Sequence, residues 1–121
     1  MEKPDMATAA LVLTSTADEA SASRLARTLV EEGLAACVTR SAVRSTYRWE
    51  EATAAAPVAP ADMAVCDEDE VLLVVKTAAH LVERLEKRVL ELHPYACPEF
   101  VVVEASHVEP RFLAWLTAAC A

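Results

Sequence analysis

The sequence predicts an α+β fold: a ferredoxin-like βαββαβ sandwich with an extra C-terminal helix, working as a trimer. Three observations predict it. Strand-length apolar runs and segments of helical period follow one another in the order β-α-β-loop-β-α-β-α, the split βαβ pattern of an antiparallel sheet with helices on one face. No helix is left over to cover the other face, and an uncovered sheet face rich in Val and Leu predicts an interface. One strand is also too long for its domain: Leu34 to Glu50 has strand composition throughout, and extended it would reach roughly 55 Å. A domain of this size is only about 35 Å across.

Each element has its own signal. Ala7–Leu13 is a short apolar run of buried-strand type. Thr16-Ala17-Asp18-Glu19 reads as a capping box in which the Thr16 hydroxyl accepts from the Glu19 backbone N–H. Ala22, Leu25, Ala26, Leu29 and Val30 then mark one face of a helix over about residues 17–32, and Gly33, the only glycine, stands where that helix needs a residue at positive φ to stop. Leu34–Glu50 contains no Gly or Pro, is rich in Val, Thr, Ser, Tyr and Trp, and reads as strand. Glu51–Asp69 reads as a long Ala/Pro-rich acidic connection, with Asp67-Glu68-Asp69-Glu70 as a solvated turn at a hairpin tip. Val71–Val75, ending in Lys76-Thr77, is a buried central strand. Leu81, Val82, Leu85, Val89 and Leu92 trace a second helix over about 78–92, which His93-Pro94 ends because proline drives the preceding residue out of the α region. Phe100–Ala105 is a third internal apolar strand, and Glu109-Pro110 opens the last helix with Phe112, Leu113, Leu116 and Ala119 inward.

The 121 residues suit one domain. Hydrophobic residues make up 55% of them, but 25 are alanine and only 5% are aromatic, so the core is thin and burial against further copies would help it. A net charge of -8 and a pI near 4.8 argue against nucleic-acid binding. No apolar run has the length of a membrane span and Met1–Met6 is polar, so the expected compartment is the cytoplasm. The four cysteines form no CxxC pair and are expected as reduced thiols.

The densest group of reactive side chains is His93-Pro94-Tyr95-Ala96-Cys97-Pro98-Glu99. His93, Cys97 and Glu99 are all possible metal ligands, imidazole suiting Cu, Zn or Ni and thiolate suiting Cu(I). The spacing matches no standard zinc signature, and a rigid helix-to-strand corner explains the same residues. In an unbulged strand Cys37, Thr39, Ser41, Val43, Ser45, Tyr47 and Trp49 share one face, and Arg40, Arg44 and Arg48 the other. Tyr47 and Trp49 suit oligomer packing. A sharper, second reading makes them one wall of a ligand cleft, with Arg48 or Lys76 supplying charge for an anion. With one glycine no phosphate-binding glycine loop can form, and no Ser/His/Asp set or paired carboxylates can be placed, so nothing argues for an enzyme.

Five blocks in order carry a resemblance: Gly33-Leu34-Ala35-Ala36-Cys37-Val38; Tyr47-Arg48-Trp49-Glu50; Val71-Leu72-Leu73-Val74-Val75-Lys76-Thr77; His93-Pro94-Tyr95 with Pro98-Glu99; and Phe112-Leu113-Ala114-Trp115-Leu116. Together they resemble the CutA family, the divalent-cation tolerance proteins, over about residues 8–118. The resemblance implies a ferredoxin-like protomer, a tight homotrimer with long hairpins pairing across subunits, and a link to copper or another divalent cation with no organic cofactor. The trimer looks like that of PII-type signalling proteins, whose clefts between subunits hold small ligands. Carried over by position, the cleft involves Cys37, Tyr47, Trp49, Lys76, His93, Tyr95, Glu99 and Trp115. Three departures stand out. Glu51 replaces a frequent glycine, the following loop is longer and acidic, and Thr14 stands where some members carry a copper-linked cysteine.

The expectation is therefore a trimeric, cytoplasmic metal-ion-binding protein. His93 is the first candidate ligand, with Cys37 and Glu99 behind it. A PII-like small-molecule sensor is the alternative. An assembly protein that contacts an unknown partner through the acidic 51–70 loop is a third reading.

Overall fold

The computed structural model describes residues 8–49, 59, 61 and 63–120. Four strands and three helices follow in order: β1 (Ala9–Thr16), α1 (Glu19–Glu31), β2 (Cys37–Trp49), β3 (Ala64–Ala78), α2 (Val82–Leu92), β4 (Val101–Glu104) and α3 (Pro110–Ala119), with a short 3₁₀ turn over Ala79–Leu81 leading into α2. The strands form one sheet in the order β2-β3-β1-β4, every neighbouring pair antiparallel. The expected βαββαβ topology with an added C-terminal helix is the one observed.

Most residues inside these elements sit where their periodicity places them. Val30, Phe112 and Ala119, expected inward, are instead exposed, and β4, expected as an internal strand, is an exposed sheet edge, because no described residues of the chain pack over them. α1 buries Ala22, Leu25, Ala26 and Leu29, and α2 buries Leu85 and Val89, against Val12, Val71, Leu73 and Val75 of the sheet. Gly33 takes φ 73°, the left-handed geometry in which a Cβ would crowd the following carbonyl. The start of α1 differs from expectation. Its N-cap is Asp18, not Thr16: the Asp18 carboxylate accepts from the Ser21 backbone N–H at 2.8 Å, while the Thr16 hydroxyl donates to the Asp18 carbonyl at 2.9 Å. Thr16 is still in β1, paired with Val71, so it cannot also open a helix. Asp18, two residues further on, is free of the ladder.

A second correction concerns Asp67-Glu68-Asp69-Glu70. These residues do not form a turn; they lie inside β3 and pair with Thr46, Ser45, Arg44 and Val43. Cross-strand partners account for it: Arg44 binds Asp69 at 2.9 Å and Asp67 at 3.3 Å, and the Thr46 hydroxyl donates to Asp67 at 3.0 Å. Opposite charges facing across a ladder outweigh the poor strand propensity of the acids. Of the acidic connection expected at 51–70, residues 51–58, 60 and 62 lie outside the described residues.

The β2–β3 ladder runs from Cys37↔Lys76 to Trp49↔Ala64, but β1 covers β3 only from Val71 to Ala78. Val43–Trp49 and Ala64–Glu70 therefore extend beyond the sheet as a two-stranded arm about 20 Å long. Strand alternation gives the sheet two unlike faces. Val12, Val71, Leu73, Val75 and Val38 lie under the helices. Leu11, Leu13, Leu72, Val74, Val101 and Val103 point the other way, where only one end is covered, by Leu116 of α3 against Ala9 and Ala78. The uncovered face predicted from the helix count is present.

Candidate functional site

The polar groups that the fold gathers lie where the arm leaves the sheet. Register puts Glu70 opposite Val43, Glu68 opposite Ser45 and Cys66 opposite Tyr47, so alternation sets Glu68, Glu70 and Tyr47 on one side. The Tyr47 phenol hydrogen-bonds Glu68, and this bond with desolvation pushes its pKa up to about 12. Tyr95 approaches from the corner between α2 and β4, and its hydroxyl donates to Glu70 at 3.0 Å. Burial first, then this bond to a carboxylate, pushes the Tyr95 phenol up to about 12. Ser15, near the end of β1, donates its hydroxyl to the same Glu70 oxygen at 3.4 Å.

His93 holds this corner. It is the C-cap of α2, its backbone N–H donating to Val89 O at 2.8 Å, and Pro94 keeps it extended. Its ring is buried. Nδ1 accepts the Tyr95 backbone N–H at 3.0 Å, and Nε2 lies 2.7 Å from the Ser15 carbonyl. A nitrogen that accepts is the unprotonated one, so Nε2 carries the proton and donates to Ser15. The rings of His93 and Tyr95 are tilted against each other at 4.8 Å.

The remaining predicted residues are dispersed. Cys37 is half-buried opposite Lys76 on the uncovered face, and Lys76 Nζ donates to Thr39 Oγ1 at 3.0 Å. Cys97 and Glu99 are exposed in the run leading to β4. Trp49 ends β2 at the far end of the arm, half-exposed, and Trp115 lies on α3 against Phe112 with ring centres 5.3 Å apart. Tyr95 and His93 thus join one hydrogen-bonded network, which Tyr47 and Glu68 reach only electrostatically, whereas Cys37, His93 and Glu99 do not converge. Among the described residues no group of three or more His, Cys, Asp or Glu is placed to hold a metal ion. A cation therefore does not fit the His93, Cys37 and Glu99 set within one chain, and the His93 lone pair already has a hydrogen bond to accept. Thr14 is fully buried and its hydroxyl lacks a partner among the described residues.

Sequence reasoning missed Glu68, Glu70 and Ser15. The signal was present: Glu68, Glu70, Leu72 and Val74 alternate as one strand face. The acidic run masked it. The basic residues of β2 are tied up on the other face, Arg40 with Glu19 at 2.9 Å and Arg44 with its aspartates. A groove of about 280 Å³ between α1 and β2 carries Arg27 and Arg40, but each already has its own glutamate.

These features define a class: a small α+β protein with one sheet face open, a projecting hairpin arm, and a tyrosine–carboxylate network at the root of that arm. A family model described as "CutA1 divalent ion tolerance protein" matches residues 10–119. A divalent-cation tolerance protein CutA of Thermus thermophilus is 36% identical over 107 residues, covering 88% of this chain and 92% of the relative. The solved structure of a divalent cation tolerance protein (Cut A1) from Thermus thermophilus superposes with TM-score 0.79 at 34% identity, covering 93% of this chain and 99% of that one. CutA from Xylella fastidiosa does so with TM-score 0.80 at 32% identity, over 94% and 99%. The chain belongs to the CutA1 divalent ion tolerance family.

Proposed function

We propose that this protein binds divalent or soft cations, copper first among them, as a homotrimer in metal-ion tolerance, and that it is a binding protein and not an enzyme. The observation that carries the reading is the family match, which spans residues 10–119 and so includes nearly every strand and helix. Membership supports a role in cation tolerance; the choice of copper rests on chemistry, since a half-buried Cys37 offers a soft donor. Glu99, an exposed carboxylate elsewhere on the chain, is the second donor in this proposal. The described residues of one chain lack a full donor set, so in this proposal the set is completed by donors from neighbouring copies. The uncovered apolar face and the arm, marginal in water as a lone two-stranded ribbon, supply the reason for those copies to assemble. Cysteines 37, 66, 97 and 120 are all free thiols, which suits a reducing cytoplasm.

Native mass spectrometry of the reduced protein with limiting Cu(I) tests this. The expected result is a trimer holding about one ion per chain, reduced in Cys37→Ser and in Glu99→Gln. A trimer that keeps no ion, or variants that keep as much as the parent, would overturn it.

One observation favours a second reading, a sensor for a small anionic ligand. Over the four-stranded part of the sheet, Lys76 is the one charged side chain among the described residues of the uncovered face, set between Leu11 and Cys37. An ammonium on an apolar face that other copies cover needs an anion. Quenching of Trp49 and Trp115 fluorescence by an anionic metabolite, lost in Lys76→Met, would favour this reading over the first.

A further inference from the structure

The His93 ring has two nitrogens and both are engaged. A carbonyl on one nitrogen is the usual orienting partner of a metal-bound histidine, so the contact of Nε2 with the Ser15 carbonyl at 2.7 Å decides nothing alone. The other nitrogen decides. Nδ1, where a cation would have to sit, accepts the Tyr95 backbone N–H at 3.0 Å. A cation there would leave that N–H without its acceptor in a part-buried corner, and one at Nε2 would have to displace the proton that holds the Ser15 carbonyl.

The same bonds close a ring through three parts of the fold. Ser15 O, at the end of β1, meets His93 Nε2; His93 Nδ1 meets Tyr95 N; the Tyr95 hydroxyl meets Glu70 on β3; and Glu70 accepts the Ser15 hydroxyl. We infer that His93 is a positioning residue, a latch that ties the α2–β4 corner to β1 and aims the Tyr95 phenol at Glu70, and that its ring nitrogens are not cation donors. Only the last clause rests on the cation-binding reading. The latch stands on its own geometry. It sends the search for donors away from the His93 ring and toward Cys37, Glu99 and neighbouring copies.

The test uses the full chain with three variants. His93→Asn keeps an acceptor near Nδ1, His93→Gln keeps a donor near Nε2, and His93→Ala keeps neither. Amide hydrogen exchange at Tyr95, ring-nitrogen NMR of His93 with Cu(I) added, and ion count by native mass spectrometry are the readouts. Tyr95 N–H should stay protected in the parent and in His93→Asn, and exchange at least about tenfold faster in His93→Ala and His93→Gln. The parent ring should keep one protonated and one accepting nitrogen when Cu(I) is added. The ion count should be the same in His93→Asn as in the parent. A His93 ring nitrogen that shifts on Cu(I) binding, or an ion lost in His93→Asn while Tyr95 stays protected, overturns the inference. So does equal Tyr95 protection in all three variants. If the parent takes up no Cu(I), the cation reading fails, and the exchange pattern with the ring spectrum still decides the latch.

Discussion

At the scale of single residues, burial and hydrogen-bond partners set how stability responds to pH. Tyr95 has a folded pKa raised to about 12, above the value near 10 of a free phenol. A raised value means that the folded state holds the proton more tightly. The stabilisation is complete below about pH 10 and is lost as pH rises toward 12. The urea midpoint should therefore fall across that window, and less steeply in Tyr95→Phe. Asp18 behaves in the opposite sense. Its hydrogen bonds from the Ser21 side chain and backbone lower its pKa, so its contribution is present above the ordinary carboxylate value and disappears as pH falls through the lowered one. Asp18→Ala should be less stable than the parent at pH 7, with the gap closing in acid. Parallel denaturation curves with a constant gap would assign the cap's effect to something other than its charge. Asp18 itself was legible only in part: a capping motif was evident, but which of Thr16 and Asp18 caps depends on where β1 stops pairing, and β3 decides that.

At the scale of elements, local pattern and tertiary burial mostly agree. The helices were readable because their apolar residues repeat with helical period, and Gly33 marked the end of α1 because only glycine takes its φ of 73° at no steric cost. Gly33→Ala should lose about 1–2 kcal/mol, measured by urea unfolding. Leu29→Ala, on the buried face of α1, should lose more, about 2–5 kcal/mol, because it removes a fully buried side chain and leaves a cavity. A smaller loss for Leu29→Ala than for Gly33→Ala would mean that α1 is not held chiefly by its packing. The arm was the element least legible. A run of four acids looks like a solvated turn when read alone, and becomes a strand only when Arg44 and Thr46 stand opposite it.

At the scale of the whole molecule, the two sheet faces differ in what covers them. Val101 and Val103, on the uncovered face, are about half-exposed at 48% and 43%, while Val12 and Val75 beneath the helices are at 0%. If that face seats other copies, Leu13→Glu should lower the sedimenting mass toward a single chain and leave the far-ultraviolet circular dichroism unchanged. An unchanged mass would place the assembly surface elsewhere.

By itself the sequence determined the order of strands and helices, most of their buried residues (though not the exposure of Val30, Phe112, Ala119 and β4), the uncovered face and the family. These depend on periodicity, on the backbone limits of Gly and Pro, and on five local blocks in order, all properties of neighbouring residues along the chain. Only the tertiary structure decided the site. His93, Ser15, Glu70 and Tyr95 are brought together from β1, β3 and the α2–β4 corner by antiparallel register, and a register shift of one residue would send Glu70 to the opposite face. Which nitrogen of His93 has a lone pair to offer depends on what lies beside it in space, and one of the two partners, the Ser15 carbonyl, comes from a distant part of the sequence.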